Sequence, residues 1–110
     1  MKAYTDIEQS KKLAEILPIE SADMRYAPFG DTHPWFWDNN LLEKEAIPCW
    51  SLAALFEVLN MPALTQNNDD GWDVAINDPK YPDEFIEIHA QNLVDACYEM
   101  ILKLHEQKLI

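Results

Sequence analysis

The sequence is poor in glycine and in basic residues. Its 110 residues include only two glycines, Gly30 and Gly71, and these stand far apart, which excludes a glycine-rich loop that cradles phosphate. Lysine and arginine together number 8 against 20 aspartates and glutamates, which gives a formal net charge of -12. Because binding to nucleic acid or to an anionic membrane surface depends on clustered cations, we expect neither as a partner.

Cysteines and long apolar runs are equally scarce. Cys49 and Cys97 allow one disulfide at most, and both fall in apolar, helix-like segments where buried free thiols are common. The longest apolar stretch, residues 52–59, is interrupted by Glu57 and is far shorter than the ~20 residues of a membrane span. The N-terminus begins with a polar helical pattern instead of an apolar signal-peptide core. Together these features predict a reduced cytoplasmic protein.

The chain nevertheless contains enough apolar material for one core. Hydrophobic residues make up 48% of it and aromatic residues 11%, so disorder is not expected despite the charge. The length fits a single small acidic domain over residues 1–110. The order of the predicted elements indicates an α+β fold, in which three helices pack with a small antiparallel β-meander of three or four strands.

Two helices are predicted in the first half of the chain. Thr5 and Glu8 have the spacing of a capping box before the first helix, which Pro18 should end. The second helix is expected over residues 48–59, with Pro48 in its first turn. Because this helix is apolar on nearly all sides, we expect it to lie at the centre of the core.

A β-meander is predicted in the second half. Its strands are expected at residues 63–66, 72–76 and 85–89. The alternation of apolar and polar residues in the middle strand is typical of a half-buried strand, and Asp70-Gly71 before it is a strong hairpin signal. A short separate strand is predicted over residues 23–27.

The last helix is the clearest element. Asn92 suits its N-cap, with Asp95 at the third helical position. Its main apolar stripe comprises Leu93, Val94, Cys97, Met100, Ile101 and Leu104. A second stripe beside it comprises Tyr98, Leu102, His105 and Leu109. Packing against one face of a fold does not require so wide an apolar surface. A loop or a partner should therefore cover the second stripe, which makes Tyr98 and Leu102 candidate partner-binding residues.

Residues 26–47 form an irregular segment that is rich in aromatic residues, which we call the aromatic segment. Its candidate partner-binding residues are Tyr26, His33, Trp35, Phe36 and Trp37. Unassigned segments of this length are often functional, and aromatic side chains are enriched at interface hot spots and on sugar-stacking surfaces. The alternative interpretation is that the segment folds back and contributes its large side chains to the core of a small domain.

Parts of the sequence resemble a group of short, functionally uncharacterised proteins from gut bacteria and their phages and mobile elements. The resemblance is carried by residues 47–55, 92–96 and 100–104, together with the helix over residues 5–17. It covers about half of the chain and leaves out the aromatic segment and the meander. Because the shared positions are helix caps and core residues, the resemblance implies a shared fold and no particular activity.

No signature of catalysis, metal binding or cofactor binding is visible. A nucleophilic Cys49 would need a histidine base that no local motif links to it, so a buried structural thiol is the better interpretation. Two groups of possible metal ligands are His33 with Asp31 and Asp38, and His89 with Glu87. Neither has the regular ligand spacing of zinc motifs. We therefore expect no metal and no cofactor, and the sequence favours a non-catalytic protein.

Acidic residues are concentrated on the predicted meander. Residues 69–87 include seven aspartates and glutamates against Lys80 alone. The simplest interpretation is a solvated face that keeps a small sheet soluble. The alternative is a face that docks on a basic partner or imitates a nucleic-acid backbone.

The leading functional hypothesis is a non-catalytic interaction or accessory protein of a bacterial mobile element. Its partner would be another protein, or a second copy of the chain bound through the second stripe of the last helix. One alternative is a small enzyme or ligand-binding domain with a cleft at the aromatic segment, where Asp31, His33 and Asp38 supply the polar groups. The other is an acidic decoy of a DNA-binding protein.

Overall fold

The structure, a computed structural model, describes residues 2–26, 34–36, 47–67, 71–78, 80–81 and 83–110. Its helices are α1 (Ile7–Ala14), α2 (Leu52–Val58) and α3 (Leu93–Glu106). Its strands are β1 (Met24–Tyr26), β2 (Trp35–Phe36), β3 (Ile47–Cys49), β4 (Ala63–Asn67), β5 (Gly71–Asn77) and β6 (Phe85–Ala90). The predicted α+β class is confirmed. Over these residues, no helix has the length and apolar character needed to cross a membrane.

The predicted β-meander is confirmed. Strands β4, β5 and β6 pair antiparallel in that order, with Leu64 opposite Val74 and Val74 opposite Ile88. Because side chains alternate along a strand, Val74 and Ile86 lie on one face of the sheet, where both are buried. Asp73 and His89 lie on the other face. The inner face of the sheet packs against α3, as the sequence predicted.

Helix α3 lies at the centre of the core. Asn92 caps it by accepting a hydrogen bond from the Asp95 amide at 2.8 Å, which confirms the predicted start. Its whole main apolar stripe is buried. The expectation that the second helix would be central is wrong, because α2 buries only Ala54 and Leu55 within its own length. Helix α2 is apolar on most sides but only partly covered. Helix α3 instead lies between α2 and the sheet.

A second small sheet was not predicted as a whole. The strand expected near residues 23–27 is present as β1, and it pairs antiparallel with β2 on one side and β3 on the other. Strands of two or three residues are too short to show a periodic pattern, so β2 and β3 gave no signal in the sequence.

The predicted start of the second helix is wrong by four residues. Pro48 lies in β3 opposite Arg25, and α2 begins at Leu52. Ser51 is its N-cap, and the Ser51 hydroxyl oxygen accepts a hydrogen bond from the Ala54 amide at 3.2 Å. The hydroxyl donates in turn to the Asp23 carboxylate, which also accepts from the Ser51 amide at 2.9 Å. These bonds to Asp23 hold Ser51 in the extended conformation of an N-cap, two residues after β3 ends at Cys49.

The capping box of α1 is one residue later than predicted. Asp6 is the N-cap, and it exchanges hydrogen bonds with Gln9 in place of the expected Thr5 and Glu8 pair. The Thr5 hydroxyl is fully buried and is used for contacts to other elements. Both residue types can cap a helix, and the tertiary contacts of Thr5 leave the cap to its neighbour.

Those contacts form a polar junction between the N-terminal segment and the end of β3, which we call the Thr5 junction. The Thr5 hydroxyl accepts from the Trp50 amide at 3.1 Å and bonds the Ser10 hydroxyl at 2.7 Å. The Thr5 amide donates to the Trp50 carbonyl at 3.0 Å, and the Leu52 amide donates to the Ala3 carbonyl at 3.0 Å. The N-terminal segment is thereby held against the chain that connects β3 to α2.

The Thr5 junction lies between two apolar clusters. Cys49 packs with Met24 and Tyr26 in a small cluster beside α1. Trp50, the next residue, is fully buried in the main core with α2 and α3. Successive side chains of an extended chain point to opposite sides. The Trp50 ring therefore lies in the main core, and the Cys49 thiol lies in the small cluster. Residues 49–50 thus link the small sheet to the main core.

Helix α1 is joined to α3 through the Asp95 carboxylate. It accepts hydrogen bonds from Lys2 and Gln9, each at 2.8 Å, and from the Asn92 side chain at 2.9 Å. Burial disfavours the charged form of Asp95, but these donors outweigh it and hold the pKa of the carboxyl below its usual range. The charged carboxylate therefore stabilises the packing of the two helices.

Replacing the buried hydroxyl of the Thr5 junction should destabilise the protein. Thr5→Val keeps the shape of the side chain but leaves the buried Trp50 amide without its acceptor, which costs about 1–3 kcal/mol. Urea unfolding followed by tryptophan fluorescence measures the loss. Thr65→Val, at an exposed position of β4, is the matched control and should shift the free energy of unfolding by at most about 0.5 kcal/mol. Equal midpoints for both variants would contradict the role of Thr5.

The lowered pKa of the Asp95 carboxyl should make part of the free energy of unfolding depend on pH. Because its pKa is lowered in the folded state, the stabilisation is present above the unfolded-state pKa and is lost as the pH falls through the folded-state pKa. Asp95→Asn should therefore be less stable than the wild type at pH 7, and the difference should narrow below about pH 4. Urea midpoints measured from pH 7 to acid test this. Asp83→Asn, at an exposed position, controls for removing one negative charge; a gap for Asp95→Asn that does not change with pH would refute the prediction.

Candidate functional site

The first predicted partner-binding residue, Tyr26, is a core residue. Its side chain is only 2% exposed and packs in the small cluster. Its hydroxyl donates a hydrogen bond to the Thr5 carbonyl at 2.6 Å, and burial raises the pKa of the Tyr26 phenol far above its usual value. This residue matches the alternative interpretation, in which the aromatic segment contributes to the core.

The other candidates in the aromatic segment are only partly described. Trp35 and Phe36 form β2, and their backbone pairs with Arg25 and Met24 of β1. The remaining candidates, His33 and Trp37, lie outside the described residues. The same is true of Asp31 and Asp38, so the proposed cleft with His33 at its centre also lies outside them.

The residues of the second stripe of α3 differ in how far they are buried. Tyr98 is half-buried and packs against the main core, and its pKa is raised first by burial and then by the nearby carboxylates of Glu99, Asp6 and Glu8. Leu109 follows the C-terminal end of the helix and also packs against the core. Leu102 is half-buried between them, and His105 is exposed.

The outer face of the meander carries a histidine-aspartate pair. Nδ1 of His89 lies 2.7 Å from the Asp73 carboxylate, directly across the β5–β6 pairing. The imidazole lies over Gly71, where an added β-carbon would come within 2.5 Å of the ring. The partner of His89 is therefore Asp73, whereas the sequence had suggested Glu87 as a metal co-ligand. No cluster of three or more metal-ligating side chains occurs among the residues that the structure describes.

Both cysteines are buried free thiols, as predicted. Burial raises the pKa of the Cys97 thiol to about 12. Burial also raises the pKa of Cys49, and its hydrogen bonds with Thr5, Ser10 and Tyr26 offset this only in part. The lowered pKa that a helix N-terminus could give Cys49 does not arise, because this residue lies in β3.

The described residues form an apolar groove at the end of the molecule where α2 and α3 terminate. We call it the apolar groove, and its volume is about 440 Å³. It is lined by Val58, Leu59, Asn60, Met61, Pro62, Ala63, Ala75, Ile76, Asn77, Phe85, Leu104, Leu109 and Ile110. The segment after α2 forms one wall. The end of β5 and the start of β6 form the second wall, and the end of α3 forms the third.

Large apolar side chains at the rim of the apolar groove are exposed to solvent. Met61 is 76% exposed, Phe85 69% and Ile110 43%. Six large apolar residues are exposed in the described part of the chain, and three of them line this one groove. A fourth, Leu64, directly follows Ala63 of the lining. Exposed apolar residues scattered singly are ordinary, whereas their accumulation around one concavity is typical of a contact surface.

The backbone after α2 holds Met61 at the rim. The Met61 amide donates to the Phe56 carbonyl at 2.8 Å, which closes the end of the helix. Asn60 and Met61 both have φ of 58°, in the left-handed region. This conformation costs a residue such as methionine roughly 1–2 kcal/mol. The turn thus keeps a large apolar side chain exposed at an energetic cost.

Sequence reasoning missed the apolar groove because its residues come from distant parts of the chain. Only one local signal was present: Phe85 precedes the alternation of Ile86 and Ile88 and so falls on the outward face of β6. An aromatic residue at an outward position of a strand is a reasonable marker of a contact surface.

The buried thiols predict low chemical reactivity. Neither Cys49 nor Cys97 should react with a water-soluble disulfide reagent at pH 8 in the native protein, because both are buried and have raised pKa values. In denaturant both should react within the mixing time. Rapid modification of one thiol in the native state would show a reactive cysteine and contradict the structural interpretation.

The chain matches no known family model, and no curated protein or solved structure shows significant similarity to it. The apolar groove and the surfaces beside it are therefore the features from which a function can be inferred.

Proposed function

We propose that the protein is a non-catalytic interaction protein that binds a partner protein at the apolar groove, as an accessory protein of a bacterial mobile element would. The observation that carries this proposal is the concentration of exposed apolar side chains around one concavity. The resemblance noted in the sequence supplies the mobile-element context and implies no activity of its own.

The exposed fractions of the rim side chains indicate how much free energy a partner could gain by covering them. Met61 and Phe85 are 76% and 69% exposed to water. Complete burial of such a side chain contributes about 1.5–3 kcal/mol, so covering these two residues would supply a substantial part of a micromolar affinity. The left-handed backbone at Met61 supports the same conclusion, because strained conformations are concentrated at functional sites.

The chemistry of the groove supports binding in preference to catalysis. Among the described lining residues, Asn60 and Asn77 carry the polar side chains, and none of these described side chains is titratable. Proton transfer and nucleophilic attack both require a titratable or nucleophilic group at the reacting atoms. A groove of this composition can hold an apolar group and accept a few hydrogen bonds.

Changing the rim should abolish partner capture without unfolding the protein. We expect the double variant Met61→Ser, Phe85→Ser to lose the partner that the tagged wild-type protein captures from an extract of its host. Both residues are exposed, so circular dichroism and the thermal midpoint should stay close to those of the wild type.

Tyr81→Ser is the matched control for this experiment. Tyr81 is 60% exposed but does not line the apolar groove, so its replacement should leave capture unchanged. If quantitative mass spectrometry found the same partners in the same amounts for the double variant and the wild type, the groove would not be the binding surface.

A further inference from the structure

Strand β4 is an edge strand among the described residues and carries no charged side chain beside the apolar groove. Within the described residues, β4 pairs only with β5, and the side chains of Ala63 to Gln66 are all exposed. Proteins usually protect such an edge with lysine, proline or an inward-pointing charge. The sequence of β4, Ala-Leu-Thr-Gln-Asn, contains none of these. Its backbone is therefore suited to pairing with another strand.

The inner face of the sheet is only partly covered at β4. Leu64 lies opposite Val74, so both side chains are on the core side of the sheet. Val74 is fully buried, whereas Leu64 is 38% exposed. A strand added to β4 would place every second side chain on this partly covered side, next to the apolar groove that begins at Ala63.

The charges around this surface favour a basic partner. The segment from β5 into β6 carries Asp78, Asp83, Glu84 and Glu87 against Lys80. Lys103 and Lys108 neighbour the lining residues Leu104 and Leu109 in the sequence, with Glu106 between them, so the basic residues of a partner should be directed toward the β5–β6 turn. The net charge of -12 attracts a basic segment over a longer range and opposes the approach of a second copy of the chain.

We propose that an extended, basic segment of a partner protein adds to β4 as a fourth strand of the meander and places its apolar side chains at the apolar groove. This inference rests on the proposed function and specifies the partner. The segment would alternate, with apolar residues on the core side beside Leu64 and basic residues on the outer side. Main-chain hydrogen bonds to β4 would supply affinity, and the alternation would supply specificity.

A designed peptide tests this proposal. The probe is a fluorescein-labelled peptide of about eight residues in which lysine and valine alternate, and its binding is measured by fluorescence anisotropy at low salt. We expect it to bind at least about tenfold more tightly than a peptide in which glutamate replaces lysine. The same lysine-valine peptide with every backbone amide N-methylated keeps its side chains but cannot pair, and it should lose at least about tenfold in affinity.

Variants of the protein locate the site. Leu64→Lys places a positive charge on the edge and should weaken binding of the lysine-valine peptide by about tenfold. Ile19→Ser, at an exposed position that does not line the groove, should leave it unchanged. Equal binding of the N-methylated and unmethylated peptides, or no effect of Leu64→Lys, would overturn strand addition. A concentration-dependent dimer of the wild type in sedimentation velocity, abolished by Leu64→Lys, would overturn the basic segment in favour of a second copy.

The outcomes also separate this inference from the proposed function. If the lysine-valine peptide does not bind while the Met61 and Phe85 double variant still loses its captured partner, the groove is a binding surface and strand addition is wrong. If that double variant keeps its partner as well, the proposed function and this inference both fail.

Discussion

The hydrogen bonds of Thr5 connect the two halves of this fold. Its hydroxyl is fully buried and accepts from the Trp50 amide, and its carbonyl accepts from the Tyr26 hydroxyl and, at 3.3 Å, from the Cys49 thiol. A buried amide or phenol without an acceptor costs about 1–3 kcal/mol, against a net contribution of about 0.5–1.5 kcal/mol from a made bond. We therefore expect the small sheet, helix α1 and the main core to unfold together, since each supplies part of the junction.

The region around the Thr5 junction differs from the region around the apolar groove in how well its side chains are buried. Around Thr5 the polar groups are buried and satisfied, and no buried side-chain nitrogen or oxygen among the described residues lacks a hydrogen-bond partner. At the other end, β4 is an edge strand among the described residues, and Met61 and Phe85 stay exposed beside a groove. A small domain with little apolar surface to spare would gain stability by covering these side chains. Their exposure is explained if a partner covers them.

The parts of the fold that could be predicted are those with a local signal. The period of two around Val74 and the cap at Asn92 act within a few residues, and both led to correct elements. The cap of α1 and the start of α2 depended on tertiary demands on Thr5 and on the bonds between Asp23 and Ser51, which no local pattern contains. The groove joins residues far apart in the chain, so periodicity could not reveal it.

Native-state hydrogen exchange tests most directly whether the Thr5 junction unites the fold. The Thr5 amide donates to the Trp50 carbonyl and the Trp50 amide to the Thr5 hydroxyl, so both should exchange only when the whole protein unfolds. Their free energies of exchange should then equal that of Ile101, which is fully buried in α3. Exchange of Thr5 and Trp50 with a far smaller free energy than Ile101 would show that the small sheet opens on its own, and would contradict the account.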